Sequence, residues 1–192
     1  MADVLLIRHA PSVWNEEGRW QGHADPPLSE RGEAEARAAG RGFGPFDLAV
    51  SSDLSRARRT AELFAPAAPL LTSPLLRERD VGSWSGLTTA EIEAGGLPEP
   101  EGGESGAAFE ERVRQAERWL AHQVGLAGAA SVLVVAHGGV LRVLAGRASP
   151  LLGHLCGYRA RLAGGRMQVG ETVQFAGADG GSALSEAVRS GP

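Results

Sequence analysis

The chain has 192 residues, a mass of 20.0 kDa, 43% hydrophobic and 22% charged residues, which describes one ordinary domain able to bury its own core and excludes a disordered chain. Its 23 acids against 19 bases give a formal charge of -4, which argues against a general nucleic-acid or anionic-membrane binder. All 19 bases are Arg, so Schiff-base lysine chemistry and a P-loop ending in Gly-Lys-Ser/Thr are excluded.

In chain order, Met1–Val4 lacks the basic region of a secretory signal. Val4–Ile7 is apolar and rich in branched residues, so it reads as a buried strand that ends at Arg8-His9. Ser29 caps a predicted helix over about Glu30–Arg41, whose apolar face is mostly Ala. Leu48–Val50 is a weaker strand, and Asp53 is placed to cap a helix over about Leu54–Phe64. Glu93 to Gly106 is rich in Gly, Pro and Glu and reads as a loop. Ser105 then caps the longest helix, where Phe109, Val113, Ala116 and Leu120 recur at helical spacing. Val132–Ala136 is a second strong strand, ending at His137, and Gly138–Leu144 follows as a helix. Cys156, the single cysteine, cannot form an internal disulfide and fits a reducing, cytoplasmic setting. Gln168–Phe175 adds an edge strand, and Gly177–Pro192 reads as a loosely held tail, leaving one domain over residues 1–176. No apolar run approaches the roughly 18 residues of a membrane span. Strands alternating with helices predict a single-domain α/β fold, with a mostly parallel sheet flanked by helices on both faces.

Two of the five histidines, His9 and His137, end strand-like runs, where open α/β sheets build their sites. The bland alternative is a pair of turn histidines that cap carbonyls. Gly138-Gly139 after His137 lets a ligand approach the backbone. Arg56 falls in the first turn of the Leu54–Phe64 helix, where the macrodipole disfavours a cation unless an anion lies between them. Arg58 and Arg59 read as a solvated basic face. Two histidines and two arginines without zinc spacing or a Cys pair make a poor metal site and a good phosphate pocket. A neutral imidazole can attack phosphorus while Arg neutralises the phosphoryl oxygens. The leaving alkoxide then needs a proton, for which Glu78 and Glu104 are the candidates. Glu78 follows two leucines and precedes a Trp-bearing segment, which predicts partial burial, whereas Glu104 sits in a loop expected to be exposed. A serine hydrolase is not supported: Gly82-Ser83-Trp84-Ser85-Gly86 places Trp where the nucleophile belongs, and Gly103–Ala107 lacks the closing Gly.

These residues resemble the histidine phosphatase superfamily, with its phosphoglycerate-mutase-like fold. The resemblance runs from Val4 to about Leu144 and keeps the family order: Leu6–Ser12, Asn15, Gln21-Gly22, Asp25–Gly32, Ser52–Thr60, Leu76-Arg77-Glu78 with Gly82–Gly86, Gly102–Ser105 and Val135–Gly139. It implies that His9 becomes a phosphohistidine, that Arg8, Arg56 and His137 hold the phosphoryl group, and that Glu78 is the acid. It also implies that Asn15, Gln21, Gly22 and Ser105 line the phosphate or the substrate path, and that neither metal nor cofactor takes part. Ala10-Pro11 departs from the commoner Gly-Glu, and the stretch after Arg147 matches poorly, so no site residue is carried from it.

The family holds both phosphatases and cofactor-dependent phosphoglycerate mutases. The mutases carry a long basic insertion after the Gly-x-Trp-x-Gly segment, where this chain has the short, acidic Leu87–Glu93, and His137-Gly138-Gly139-Val140 resembles the phosphatase branch. The reading is therefore a phosphomonoesterase acting on a small phosphorylated metabolite, similar to the α-ribazole phosphatases. The alternatives are a mutase and a non-catalytic binder of phosphorylated ligands, the last weakened by the presence of both His9 and Glu78.

Overall fold

The computed structural model describes residues 1–146 and 148–175; the expected tail, Gly177–Pro192, lies outside the described residues. Six strands form one sheet: β1 (Ala2–Arg8), β2 (Leu48–Ser52), β3 (Leu70–Ser73), β4 (Ser131–Ala136), β5 (Cys156–Ala163) and β6 (Arg166–Gln174), in the order β3-β2-β4-β1-β5-β6. The first four in that order are parallel, and β5 and β6 add an antiparallel edge.

The helices are α1 (Val13–Glu16), α2 (Glu30–Gly40), α3 (Ser55–Phe64), α4 (Thr89–Ala94), α5 (Gly106–Ala127) and α6 (Gly138–Leu144). Alternation along β1 sorts its side chains onto two cores. Val4 and Leu6 pack with Phe109, Val113 and Leu120 of α5 and Val140 and Leu141 of α6. Leu5 and Ile7 face Ala36 of α2 and Ala57, Ala61 and Phe64 of α3. Both faces are thus covered, which explains the continuous apolar runs of β1 and β4. The Ala-rich face of α2 lets it sit close to its neighbours: a Cβ at Gly40 would strike the Phe64 backbone, and one at Gly32 the Pro11 carbonyl.

Several expectations need correction. Asp53 does not cap α3; Leu54 is the N-cap and makes no side-chain cap bond. Asp53 instead forms a two-pronged ion pair with Arg77, at 2.8 and 2.6 Å. The α3 terminus is served by Asp25, whose Oδ1 accepts from the Ser55 N–H at 2.7 Å and the Ser55 hydroxyl at 2.8 Å. The stretch read as loop from Glu93 begins as helix, because Thr88 and Glu91 close a capping box on α4. β3 is too short to carry a periodic signal, whereas β5, which was not expected, does alternate buried Tyr158, Ala160 and Leu162 with exposed Arg159 and Arg161.

Candidate active site

The sheet register brings the two histidines together. β1 and β4 are parallel neighbours with Arg8 opposite Ala136, so His9 and His137 emerge side by side at the carboxyl edge. The His9 N–H donates to the Ala136 carbonyl at 2.9 Å, and the two ring centroids are 5.1 Å apart. The chain leaves β1 toward the α2–α3 face and leaves β4 toward the α5–α6 face. That divergence opens a crevice where α/β proteins bind ligands.

His9 is 3% exposed. Its Nδ1 lies 2.7 Å from the Ala10 carbonyl. A carbonyl only accepts, so Nδ1 carries the hydrogen and Nε2 keeps its lone pair. Burial first, then the charges of His137, Arg56, His154 and Arg8, hold the His9 pKa well below the usual imidazole range. The ring is therefore neutral and nucleophilic at physiological pH. His137 is held low by burial and then by Arg56 and Arg8, and neither of its ring nitrogens has a partner.

Arg56 is the largest fully buried side chain, at 1% exposure. Its Nη1 donates to the Ala24 carbonyl at 2.7 Å and its Nη2 to the Gly22 carbonyl at 2.9 Å, while Nε has no partner. Burial lowers its pKa to about 10, so it remains a cation. Arg8 donates from Nη1 to the Leu152 carbonyl at 2.8 Å and also leaves Nε unpartnered; burial lowers its pKa against the opposing pull of Glu78. Two buried guanidiniums without a hydrogen-bonded carboxylate are costly in isolation and become favourable once an anion enters. An anion does stand at the α3 terminus: the Asp25 carboxylate takes the Ser55 N–H, and its charge also favours the Arg56 cation.

Glu78 joins this group across the crevice. Its Oε2 accepts from the Gly139 N–H at 3.0 Å and its Oε1 from the Arg79 N–H at 2.9 Å. A Cβ at Gly139 would collide with Glu78 Oε1, so the second glycine after His137 is what admits the carboxyl.

Glu104 is not the exposed loop acid expected from sequence. It forms a two-pronged ion pair with Arg112, at 2.8 and 2.6 Å, with side-chain exposures of 16% and 17%. Arg112 in turn donates to the carbonyls of Leu75, Arg77 and Glu78. Glu104 therefore braces the loop that carries Glu78. Nothing in the sequence marked Arg112, since an Arg beside an apolar helical stripe looks like any surface residue.

The remaining site candidates divide. Gly22 acts through its backbone: its carbonyl holds Arg56, and a Cβ there would strike Val81. Asn15 Oδ1 accepts from the Ser12 N–H and closes the capping box of α1, and Gln21 Oε1 lies 2.9 Å from the Ser12 hydroxyl. Ser105 is exposed, and its hydroxyl accepts from the Ala108 N–H as the cap of α5. Arg59 pairs with Glu33 and Glu62, and Arg58 with Glu62, as a solvated face does.

His154 was missed. It lies beyond Arg147, in the stretch from which no site residue was carried, yet it is 8% exposed with its ring 5.3 Å from His9. A histidine within the apolar Leu151-Leu152-Gly153-His154-Leu155-Cys156 was the available signal of burial.

The model of the histidine phosphatase superfamily (branch 1) matches residues 4–153. The chain belongs to this family. The family works by phosphoryl transfer through a phosphohistidine, which the His9 geometry suits. A 2,3-bisphosphoglycerate-dependent phosphoglycerate mutase of Methylobacterium radiotolerans is 40% identical over 163 residues, covering 73% of this chain and 76% of that protein. The solved α-ribazole phosphatase from Shigella flexneri has a TM-score of 0.72 at 26% identity, over 88% of this chain and 94% of that one. A mycobacterial glucosyl-3-phosphoglycerate phosphatase has a TM-score of 0.75 at 27% identity, over 89% and 98%. No helix of the described residues is long and apolar enough to cross a membrane.

Proposed function

We propose that this chain is a metal-independent phosphomonoesterase, with His9 as nucleophile and Glu78 as acid and then base. One observation carries the reading: a neutral His9 with a bare Nε2 lies among buried groups that have no partner, Arg8 Nε, Arg56 Nε and the ring of His137. Phosphoryl oxygens complete those donors. His9 Nε2 attacks phosphorus as the ester P–O bond breaks, and Glu78 gives its proton to the departing oxygen. Glu78, now a carboxylate, takes a proton from water as that water displaces His9, releasing phosphate. Asn15, Gln21 and the Gly22 carbonyl support the rim of this pocket, and Ser105 shapes the approach as the cap of α5. The single, buried Cys156 suits a reducing cytosol.

Phosphatase is favoured over mutase because Gly86 is followed by the short, acidic Leu87–Glu93, which carries the start of α4, where mutases carry a long basic insertion. The mutase reading is kept alive by the Methylobacterium relative and similar ones. A small phosphorylated metabolite is the substrate class, and α-ribazole phosphate is the first ester to try. The deciding experiment is a panel with EDTA present: α-ribazole phosphate, 3-phosphoglycerate with and without 2,3-bisphosphoglycerate, and p-nitrophenyl phosphate. Phosphate release in chelator supports the proposal. Isomerisation of 3-phosphoglycerate without phosphate release points to the mutase, and reversible loss restored by a divalent ion contradicts metal independence. Binding without any turnover makes the chain a ligand-binding protein.

A further inference from the structure

The segment between α6 and β5 has no part in the chemistry above, yet it closes on the backbone of the nucleophile. Arg8 Nη1 donates to the Leu152 carbonyl at 2.8 Å, and the Leu155 N–H donates to the Arg8 carbonyl at 3.2 Å. Between them, His154 Nδ1 lies 3.1 Å from the His9 carbonyl. A carbonyl only accepts, so this nitrogen too carries a hydrogen. The turn is held in a strained form: Leu155 has φ +52°, the only positive φ of a non-glycine among the described residues.

The His9–Ala10 peptide is thereby gripped on both sides. His154 holds its carbonyl, and Thr60 Oγ1 accepts its N–H at 3.0 Å. Ala10 then offers its own carbonyl to His9 Nδ1 at 2.7 Å, and that bond selects the tautomer with a bare Nε2.

We propose that His154 is a positioning residue for the nucleophile: its Nδ1–H bond to the His9 carbonyl fixes the His9–Ala10 peptide plane and, through Ala10, the tautomer and aim of the His9 ring. This rests on the reading of His9 as nucleophile. Burial, and next the charge of Arg8, lower the His154 pKa to about 3, so the ring stays a neutral donor throughout the working range. The surrounding charges from Arg8, Arg56 and Arg31 all act in that direction.

The test compares three variants. His154→Asn places an amide N–H where Nδ1 was; His154→Leu fills the space without a donor; His154→Gln carries its donor to the far side of the ring's position. Nitrogen-15 spectra of the His9 side chain report its tautomer without any turnover. Wild type and His154→Asn should show the single Nδ1–H form, and His154→Leu and His154→Gln a mixture of both. The burst rate of p-nitrophenol release, normalised to trapped phosphoenzyme, should fall about tenfold or more in the Leu and Gln variants, with KM nearly unchanged. His154→Asn should stay within about threefold of wild type, on the same geometric argument. A merely structural role lowers the melting temperature and the active fraction but leaves the tautomer and the normalised burst rate alone. A wild-type tautomer and burst rate in His154→Gln, or a His154→Asn as impaired as His154→Gln, overturns the proposal; should His154→Leu not fold, the Asn and Gln pair alone decides. If wild type forms no phosphohistidine, the nucleophile reading fails on its own, and the spectra still decide whether His154 sets the ring.

Discussion

The two edges of the one sheet are built in opposite ways. At the amino edge, a groove of about 720 Å³ runs past Asp3, Phe43, Phe46, Ser131, Arg159 and Arg161. On its walls Arg161 pairs with Asp3, Arg159 lies over the Phe43 ring, and the Ser131 N–H is taken by the neighbouring Asp47, which also accepts from Ala130. At the carboxyl edge, four of the five buried polar atoms without a partner among the described residues belong to Arg8, Arg56 and His137. The fifth is Tyr158 Oη, in the core against α5 and α6. The difference teaches that room alone does not mark a site. Unmet hydrogen-bonding capacity gathered on several charged and imidazole side chains does, because such groups are costly to bury together unless a ligand completes them.

The contrast is broken most severely at His9. His9→Ala should abolish turnover of p-nitrophenyl phosphate and leave no acid-labile phosphoenzyme; activity near wild type would remove His9 as nucleophile. Arg56→Ala should lower kcat by about 10²–10³, the scale for losing one donor to a developing oxyanion. An effect on KM alone would mean that Arg56 binds ground and transition states equally.

Glu78→Gln sharpens the division between the acids. It should slow alkyl phosphates far more than p-nitrophenyl phosphate, whose phenolate leaves without help. Glu104→Gln should slow both by a similar factor, because Glu104 acts through Arg112 on the Glu78 loop. A leaving-group dependence at Glu104 larger than that at Glu78 would exchange the two roles.

The buried imidazoles also make the carboxyl edge the acid-sensitive one. His9, His137 and His154 all have pKa values below the ordinary 6.5 that they regain on unfolding. Between those values the unfolded chain binds more protons, so stability is full above pH 6.5 and falls as pH drops toward the folded values, about 3 for His154. Each ring contributes up to ~1.4 kcal/mol per pH unit in that window. Urea melts from pH 7 to 4 should show a steep loss, shallower by one proton in His154→Leu. At the amino edge, Asp3→Asn should change neither kcat nor melting temperature measurably, since its pair with Arg161 is solvated. A clear loss of activity there would end the contrast between the edges.

Sequence by itself determined the local features. Ser29 and Ser105 cap the helices they were expected to cap, β1 and β4 follow from their apolar runs, and His9, His137 and Arg56 stand where strands meet turns and helix starts. These are legible because capping bonds span three residues and burial leaves a periodic trace. Tertiary structure alone decided the rest. Asp53 left its helix for Arg77, Glu104 turned inward to Arg112, and β5 with His154 came back to the nucleophile from 145 residues away. Such pairings depend on which strands lie side by side and on which face a loop crosses, and a polar side chain looks the same in sequence whether its partner is water or a buried carbonyl.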